Sequence, residues 1–416
     1  GFIPQDNGDG TFGVKEGTYV AKIGETSYET LAEAIAAAKS GATVKLLADT
    51  KENVTIAKAL TLDLNGYTIN GGTENSTATI KVTASVTIKH SSEAKTGTIM
   101  REDTADTLTS YYVIDVQGHS KTLTFESGNV KNNSGIVGVK GSSLIRIGDD
   151  SVSAWPTLTI KGGTFTQDNF IAIKVDRGFL NVKGGTINSA NSYAIETWNT
   201  ANIRGGTING NVSSWVYSGG ADLSRLEISG GMINGNVTSV NYDNAENKTA
   251  TVTITGGTIR GKLDTCSYDS KENELTSIDD TAKATIAVSG GTFSEDPIKY
   301  VVDGFGAEQN EDGTFGIAQH VVAKIGDVKY YTMDDAFHAV KTGETIVMQR
   351  NYTTNAIQNS GYDSFTIDLN GFTWTYTGSD ANCAAFEINY SNATLTVKNG
   401  KIISNSLVGL IPSAMG

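Results

Sequence analysis

The sequence predicts an all-β protein folded as a right-handed parallel β-helix, a solenoid with a short N-terminal capping helix on each module. Three observations support this prediction: a strand-and-glycine phrase that recurs along the chain, an alternation of apolar and polar residues before each glycine pair, and a longer repeat that encloses the short one. A period of about twenty to thirty residues with one strand-like run per repeat is typical of a solenoid.

The recurring phrase is a strand-like run that ends in two glycines. It reads LTIKGGTF, LNVKGGTI, ANIRGGTI, LEISGGMI, VTITGGTI and IAVSGGTF. The second glycines of the pairs are Gly163, Gly185, Gly206, Gly231, Gly257 and Gly291. Their spacings are 22, 21, 25, 26 and 34 residues. Glycine at this position permits a turn of the backbone that a side chain would obstruct, so each pair marks a corner of the coil.

Alternation within each repeat predicts which side chains face the interior. In the first copy Leu158 and Ile160 point one way, and Thr159 between them points the other. One apolar residue also follows every glycine pair at an equivalent position. Because the rungs stack in register, we expect these residues to form one buried column. They are Phe165, Ile187, Ile208, Ile233, Ile259 and Phe293.

A longer repeat indicates more than one module. The segment VAKIG from Val20 returns from Val322, and LDLNGYTI from Leu62 returns as IDLNGFTW from Ile367. We therefore expect the tail of a preceding module with a linker, one complete β-helix module, a second linker and the start of a second, truncated module. The corresponding residues are 1–19, 20–303, 304–321 and 322–416. At about 4.8 Å per rung, about ten rungs would make the first module a rod of about 50 Å. The chain is expected to be a monomeric fragment of a longer tandem array.

Each module is predicted to open with a helix. Thr30 and Glu33 form a capping box, and the apolar residues after it fall at helical spacing. Thr332 and Asp335 occupy the same cap positions in the second copy. A short amphipathic helix across the end of an open coil would cover both its core and its strand edge.

Four segments of the chain resemble the parallel β-helix modules of large secreted surface proteins of gut Firmicutes and related bacteria. They are TLAEAIAAA, TVKLLADT, DLNGYTI and ISGGTFSEDPIKYVVDGFGAEQNEDGTFGI. Those modules belong to the pectin-lyase-like group of right-handed β-helices, and the resemblance covers nearly the whole chain. It implies an adhesin-like bacterial protein located outside the cell, on its surface or in its wall.

Composition and charge limit the partners. The chain has 47 glycines and only 4 prolines, which suits short strands joined by tight turns. Its formal net charge of −13 repels nucleic acid and anionic membranes, so we expect neither as a partner. No apolar run is long enough to insert into a membrane.

Patterns for catalysis or metal binding are sparse. The four histidines are scattered, so no pair of them suggests a triad or a zinc site. The acids between Asp269 and Asp280 follow no fixed calcium-ligand spacing. At the outward positions before the glycine corners only Glu227 is acidic, so that face lacks the paired carboxylates of a glycosidase. We expect no cofactor, no metal ion and no catalytic residues.

An aromatic ladder is the first candidate ligand-binding surface. The segments GNVSSWVY, GNVTSVNY and GKLDTCSY align without gaps, which puts Tyr217, Tyr242 and Tyr268 on three successive rungs. Trp215 lies two residues before the first tyrosine, and Trp198 lies in the corresponding region of the preceding rung. Flat aromatic side chains on a rigid surface suit stacking on sugars or anchoring a protein partner. In the alternative, the rings pack beneath the adjoining loops.

A basic ladder is the second candidate. Lys161, Lys183 and Arg204 occupy the position just before the glycine pair on successive rungs. Like charges opposite each other destabilise a sheet, so a groove for an anionic sugar or for an acidic loop of a partner is one interpretation. In the alternative, the three side chains are solvated and are neutralised by Asp176 or Glu196 from nearby turns.

The expected function is an extracellular, non-catalytic adhesin or ligand-binding stalk module that recognises a glycan or a host surface protein. A polysaccharide lyase or a glycoside hydrolase is an alternative that fold analogy alone favours. A passive spacer within a tandem array is another. The flanking parts of the gene would separate these three hypotheses.

Overall fold

The computed structural model describes residues 2–16, 18–72, 77–101, 111–132, 143–149, 155–167, 169–243, 245–271, 274–278, 283–354, 358–359, 364–377, 386–388, 393–404 and 411–412. Contacts divide the chain into two units. The first comprises Gly1–Tyr300 and Gln309–Gly316, and the second comprises Val301–Glu308 and Ile317–Gly416. The finer division into tail, modules and linkers stays a prediction.

The first unit is a parallel β-helix whose strands form three faces. Face A holds the strands before the glycine corners, Thr43–Leu46, Leu60–Asp63, Val86–Lys89, Thr122–Phe125, Thr157–Ile160 and Phe179–Val182. Face B holds the strands after those corners, Thr68–Gly71, Thr98–Arg101, Asn129–Asn132 and Thr164–Thr166. Face C completes each turn with Val54–Ile56, Ile80–Val82, Ile114–Val116, Ile145–Ile147, Ile173–Val175, Val237–Asn241 and Leu263–Lys271.

Later rungs contain longer strands that run through the corners. Thr186–Thr197 continues from face B to face C, and Thr200–Val216 contributes to all three faces. Leu223–Ile233, Thr249–Ile259 and Ala284–Phe293 run from face A to face B. Each face is a parallel ladder, which confirms the predicted parallel β-helix.

The register of the ladders confirms the predicted interior column. On face A, Leu123 pairs with Leu158, which pairs with Leu180. On face B the pairing runs in order through Phe165, Ile187, Ile208, Ile233, Ile259 and Phe293. All six side chains are at most 1% exposed. Their burial places the core inside the coil.

Both glycines of a corner are needed, for different reasons. The second, Gly185, has a φ of +85°, which L-residues with side chains rarely adopt. The first, Gly184, lies so close to the preceding rung that a Cβ there would be 2.4 Å from the carbonyl oxygen of Lys161. The corner therefore requires a left-handed backbone at one residue and a close backbone approach at the other.

The predicted helix Leu31–Ala37 opens the first unit. Thr30 Oγ1 accepts a hydrogen bond from the Glu33 amide at 3.1 Å, and Glu33 Oε2 accepts one from the Thr30 amide at 3.2 Å, so the capping box is confirmed. Further elements of this unit are Phe2–Asp6, Phe12–Glu16, Ala21–Ile23, Thr26–Tyr28, Glu274–Ile278 and the 3₁₀ helix Ile298–Tyr300. The strands Phe305–Gln309 and Phe315–Gln319 each contain residues of both units. No helix among the described residues is long and apolar enough to cross a membrane.

The second unit repeats this opening. Its helix is Met333–Ala339, and Thr332 Oγ1 accepts a hydrogen bond from the Asp335 amide at 3.1 Å. Its strands are Ala323–Ile325, Val328–Tyr330, Thr345–Met348, Tyr352–Thr354, Gln358–Asn359, Phe365–Asp368, Thr373–Tyr376, Phe386–Ile388, Leu395–Lys398, Lys401–Ser404 and Ile411–Pro412. Ala323–Ile325 pairs antiparallel with Val328–Tyr330 and with Thr345–Met348. From Thr345–Met348 onward the strands form parallel ladders around a core that includes Phe337 and Trp374.

Candidate functional site

Face C presents the predicted aromatic residues on its outer surface. Ile173 and Val175 are fully buried, and Lys174 between them lies on the outer side of the sheet. Val175 pairs with Thr197, and the Trp198 amide donates to the Val175 carbonyl at 2.8 Å. Strand alternation and this register set the outward side chains of successive rungs beside one another.

The rings of four predicted residues and of one further tyrosine form a continuous aromatic cluster. It comprises Tyr193, Trp198, Trp215, Tyr217 and Tyr242. The Trp198 centroid lies 5.5 Å from that of Trp215 and 5.0 Å from that of Tyr217. Trp215 also contacts Tyr193 and Tyr242, each at 5.9 Å between centroids. The structure therefore brings these four predicted residues together.

Three of these rings line a surface concavity, which we call the face C pocket. Its volume is about 180 Å³, and its walls are Lys174, Asp176, Trp198, Tyr217 and Tyr242. Tyr242 is 41% exposed. The pocket is thus open to solvent and combines aromatic surface with an acid and a base.

The loop after the first tyrosine folds over its ring. A Cβ on Gly219 or Gly220 would lie 2.8 or 2.5 Å from carbon atoms of the Tyr217 ring. The Ser218 amide donates to Asp243 Oδ1 at 2.9 Å, which ties this loop to the next rung. Tyr217 therefore packs partly beneath its loop, as the alternative interpretation expects, while its ring still lines the pocket.

Two carboxylates and a lysine lie beside the rings. Lys174 Nζ and Asp176 Oδ1 are 3.0 Å apart, and Trp198 Nε1 donates to Glu196 Oε1 at 2.7 Å. Burial raises the pKa of Glu196, although the indole hydrogen bond and Lys174 oppose that shift. Burial alone would lower the pKa of Lys174. The attraction of the nearby Asp176 and Glu196 carboxylates is larger, so the pKa of Lys174 is raised. The lysine is therefore positively charged at neutral pH.

Charged groups continue along face C toward the N-terminus. Arg146 donates from Nε to Asp115 Oδ1 and from Nη2 to Asp115 Oδ2, both at 3.0 Å. Its guanidinium carbon lies 4.4 Å from the centroid of the Tyr112 ring. Lys174 pairs with Arg146 in the ladder, so this ion pair adjoins the pocket along the coil.

The acids and the lysine of face C were not predicted as one group. Among the outward positions before the glycine corners, which belong to face A, only Glu227 is acidic. Alternation in the segments IAIKVDR and AIETWN is the signal that would have placed Lys174, Asp176 and Glu196 on one outer surface.

The basic ladder lies at the end of face A, away from this group. Lys161, Lys183 and Arg204 are exposed and follow strand residues that pair across successive rungs. Lys161 Nζ lies 3.1 Å from Glu126 Oε1, so its ion-pair partner differs from the predicted acids. The expected neutralising acids, Asp176 and Glu196, lie on face C instead, beside Lys174 and Trp198.

The third tyrosine of the aromatic ladder is only partly described. Asn241 pairs with Ser267, so the backbone of Tyr268 is in register with Tyr242, as the gapless alignment predicts. The Tyr268 side chain lies outside the described residues, and so do Asp279 and Asp280. In the part of the chain that the structure describes, no group of three or more His, Cys, Asp or Glu side chains could hold a metal ion.

The fold and the pocket together define the class of protein: a parallel β-helix with an aromatic, charged concavity on one outer face. Comparison of the chain with protein-family models, with curated proteins and with solved structures gave no match. A function is therefore proposed from the geometry of face C and from the resemblance to bacterial surface modules.

Proposed function

We propose that this protein is an extracellular, non-catalytic adhesin or stalk module that binds a glycan, or alternatively a host surface protein, at the face C pocket. The observation that carries the proposal is the pocket itself, where Trp198, Tyr217 and Tyr242 meet the ion pair of Lys174 and Asp176. Aromatic faces with a few polar groups at their edge are typical of ligand-binding concavities.

The scaffold supports this proposal. Each pocket wall lies in a strand of the parallel ladder or directly after one, so the rings are held before any ligand arrives. The resemblance to pectin-lyase-like surface modules and the net charge of −13 favour an exported stalk. A rigid coil that presents the face C pocket to solvent suits attachment at a distance from a cell wall.

Truncation of two pocket walls tests the proposal. We expect a Tyr217→Ala, Tyr242→Ala double variant to lose binding in a glycan and host-protein screen, because removing a true anchor weakens binding by about 1 to 4 kcal/mol. Phe179→Ala is the matched control, since Phe179 is 37% exposed but lies outside the pocket. The melting temperature of each variant should equal that of the wild type.

Two outcomes of this screen would overturn the site or the function. Equal binding by the double variant and the wild type would move the proposed site to the basic ladder of Lys161, Lys183 and Arg204. If neither the wild type nor any variant binds a glycan or a host protein, the result would favour a passive spacer.

One observation favours a glycoside hydrolase or a polysaccharide lyase as the second candidate. Asp176 and Glu196 lie on adjacent rungs but not directly opposite each other, because Glu196 pairs with Lys174. Diagonal neighbours in a sheet are about 7–8 Å apart, which is within the carboxylate separation of inverting glycosidases. Burial raises the pKa of Glu196, as a general acid requires. However, Glu196 is only 7% exposed, and Asp176 is paired with Lys174.

Product release separates the two candidates. We expect no reducing ends or unsaturated products from pectin, polygalacturonate, mucin glycans or chondroitin, because the two carboxylates are engaged by Trp198 and Lys174. Asp176→Asn and Glu196→Gln serve as controls for any turnover that is observed. Turnover above background that both substitutions abolish would replace the binding proposal with the enzymatic one.

A further inference from the structure

The rings of the face C pocket are not arranged as a flat platform. Trp198 and Tyr217 meet at an interplanar angle of 87°, with their centroids 5.0 Å apart. Tyr242 lines the same concavity. A pyranose ring stacks best on one planar aromatic surface, whereas rings set at right angles enclose a compact, rounded group. A volume of about 180 Å³ is also small for a ligand pocket.

Two carboxylates and one lysine surround the pocket, so its local charge is negative. Asp176 and Lys174 form part of the wall, and Glu196 accepts the hydrogen bond of the Trp198 indole N–H at 2.7 Å. A carboxylate at the edge of an indole increases the negative potential of the ring face, which attracts cations. Lys174 already makes such a cation–π contact, because its Nζ lies 6.0 Å from the centroid of the Trp198 ring.

We propose that the group bound in the face C pocket is a methylated ammonium, such as the trimethylammonium of choline or of trimethylated lysine; this rests on the function proposed above. Such a group is rounded, carries its charge on methyl groups that pack against ring faces, and needs no hydrogen-bond acceptor. The lack of a need for an acceptor matters because Asp176 Oδ1 is already paired with Lys174, and Glu196 Oε1 already accepts a hydrogen bond from Trp198.

The pocket lysine gives the proposal a distinctive consequence. Lys174 competes with an incoming cation both for the Trp198 face and for the Asp176 carboxylate. Lys174→Met keeps most of the aliphatic stem and removes the charge, so this variant should bind a methylated ammonium more tightly than the wild type. A ligand that is held by its negative charge would respond in the opposite direction.

The test is a titration of the 416-residue chain with choline chloride, followed by tryptophan fluorescence and calorimetry. Its neutral isostere 3,3-dimethyl-1-butanol is titrated in parallel. We expect choline to bind about three to thirty times more tightly than the isostere, which is the range of a cation–π contribution. Tyr242→Ala, at an exposed position, should abolish the difference, and Phe179→Ala should keep it.

Each departure from this result overturns the inference. Equal affinity for choline and its isostere, or weaker choline binding by Lys174→Met at an unchanged melting temperature, contradicts a cation site. If choline fails to bind while a glycan binds and depends on Tyr217 and Tyr242, the ligand class is wrong but the proposed function stands. If choline, glycans and host surface proteins all fail to bind, both proposals fail.

Two natural sources of a methylated ammonium are then compared by measuring their binding to the full chain. One probe is a polymer substituted with phosphocholine, and the other is a trimethyl-lysine peptide with its unmethylated counterpart as control. Tighter binding of the polymer identifies a choline-bearing glycan or wall polymer, and tighter binding of the trimethylated peptide identifies a protein partner. Equal binding of methylated and unmethylated peptides, together with no polymer binding, overturns the inference.

Discussion

Glu196 shows how one side chain couples the pocket to the stability of the fold. Burial raises its pKa above the ordinary value of 4.5 in the folded state. At pH values between the pKa of Glu196 in the unfolded chain and its raised pKa in the folded chain, the folded chain binds more protons than the unfolded chain. The free energy of unfolding therefore falls as the pH rises through this range. The contribution of protonated Glu196 to stability is fully present only below the pKa of the unfolded chain.

Replacing this carboxylate by an amide tests that linkage. Glu196→Gln keeps an oxygen acceptor for the Trp198 indole N–H but cannot ionise, so we expect a flatter pH dependence and a higher stability than the wild type at neutral pH. The measurement is urea unfolding at a series of pH values from acid to neutral. Glu227→Gln, at an exposed position of face A, is the matched control. An unchanged slope in Glu196→Gln would show that Glu196 is not the titrating group.

At the scale of elements, patterns that are local in sequence were predictable. The capping box depends on residues three apart, Thr30 and Glu33, so both of its hydrogen bonds could be expected before the structure. The glycine pairs mark equivalent positions in successive rungs. Aligning the repeats on these pairs identified the interior column. The aromatic ladder was predictable for the same reason, because three segments of face C align without gaps after Gly210, Gly235 and Gly261.

An asparagine ladder next to the interior column was missed although the repeat marks it, since Asn188, Asn209 and Asn234 each directly follow an isoleucine of that column. Asn209 Nδ2 donates to Asn188 Oδ1, and Asn234 Nδ2 donates to Asn209 Oδ1, both at 2.7 Å. Other contacts between rungs could not be predicted, because no repeat marks them. The earlier rungs of face C follow loops of unequal length, which hides the register of Lys174 with Glu196. The position of the Tyr217 ring depends on a loop that closes over it at Gly219 and Gly220.

At the scale of the first unit, the stability of a stacked coil depends on contacts between neighbouring rungs. Ile208 lies in the middle of the interior column, between Ile187 and Ile233, and is fully buried. An aspartate there would place a charge without a partner inside the coil, where it would disrupt the packing of the rungs on both sides.

Ile208→Asp should therefore lower the free energy of unfolding by at least about 4 kcal/mol, which is the range of buried unpaired charges. Ile208→Val is the matched control and should lower it by about 1 kcal/mol, because it removes one methylene and leaves the column apolar. Denaturant unfolding monitored by circular dichroism measures both changes. A loss in Ile208→Asp as small as that in the valine variant would contradict a continuous buried column, and with it the register that places the face C pocket.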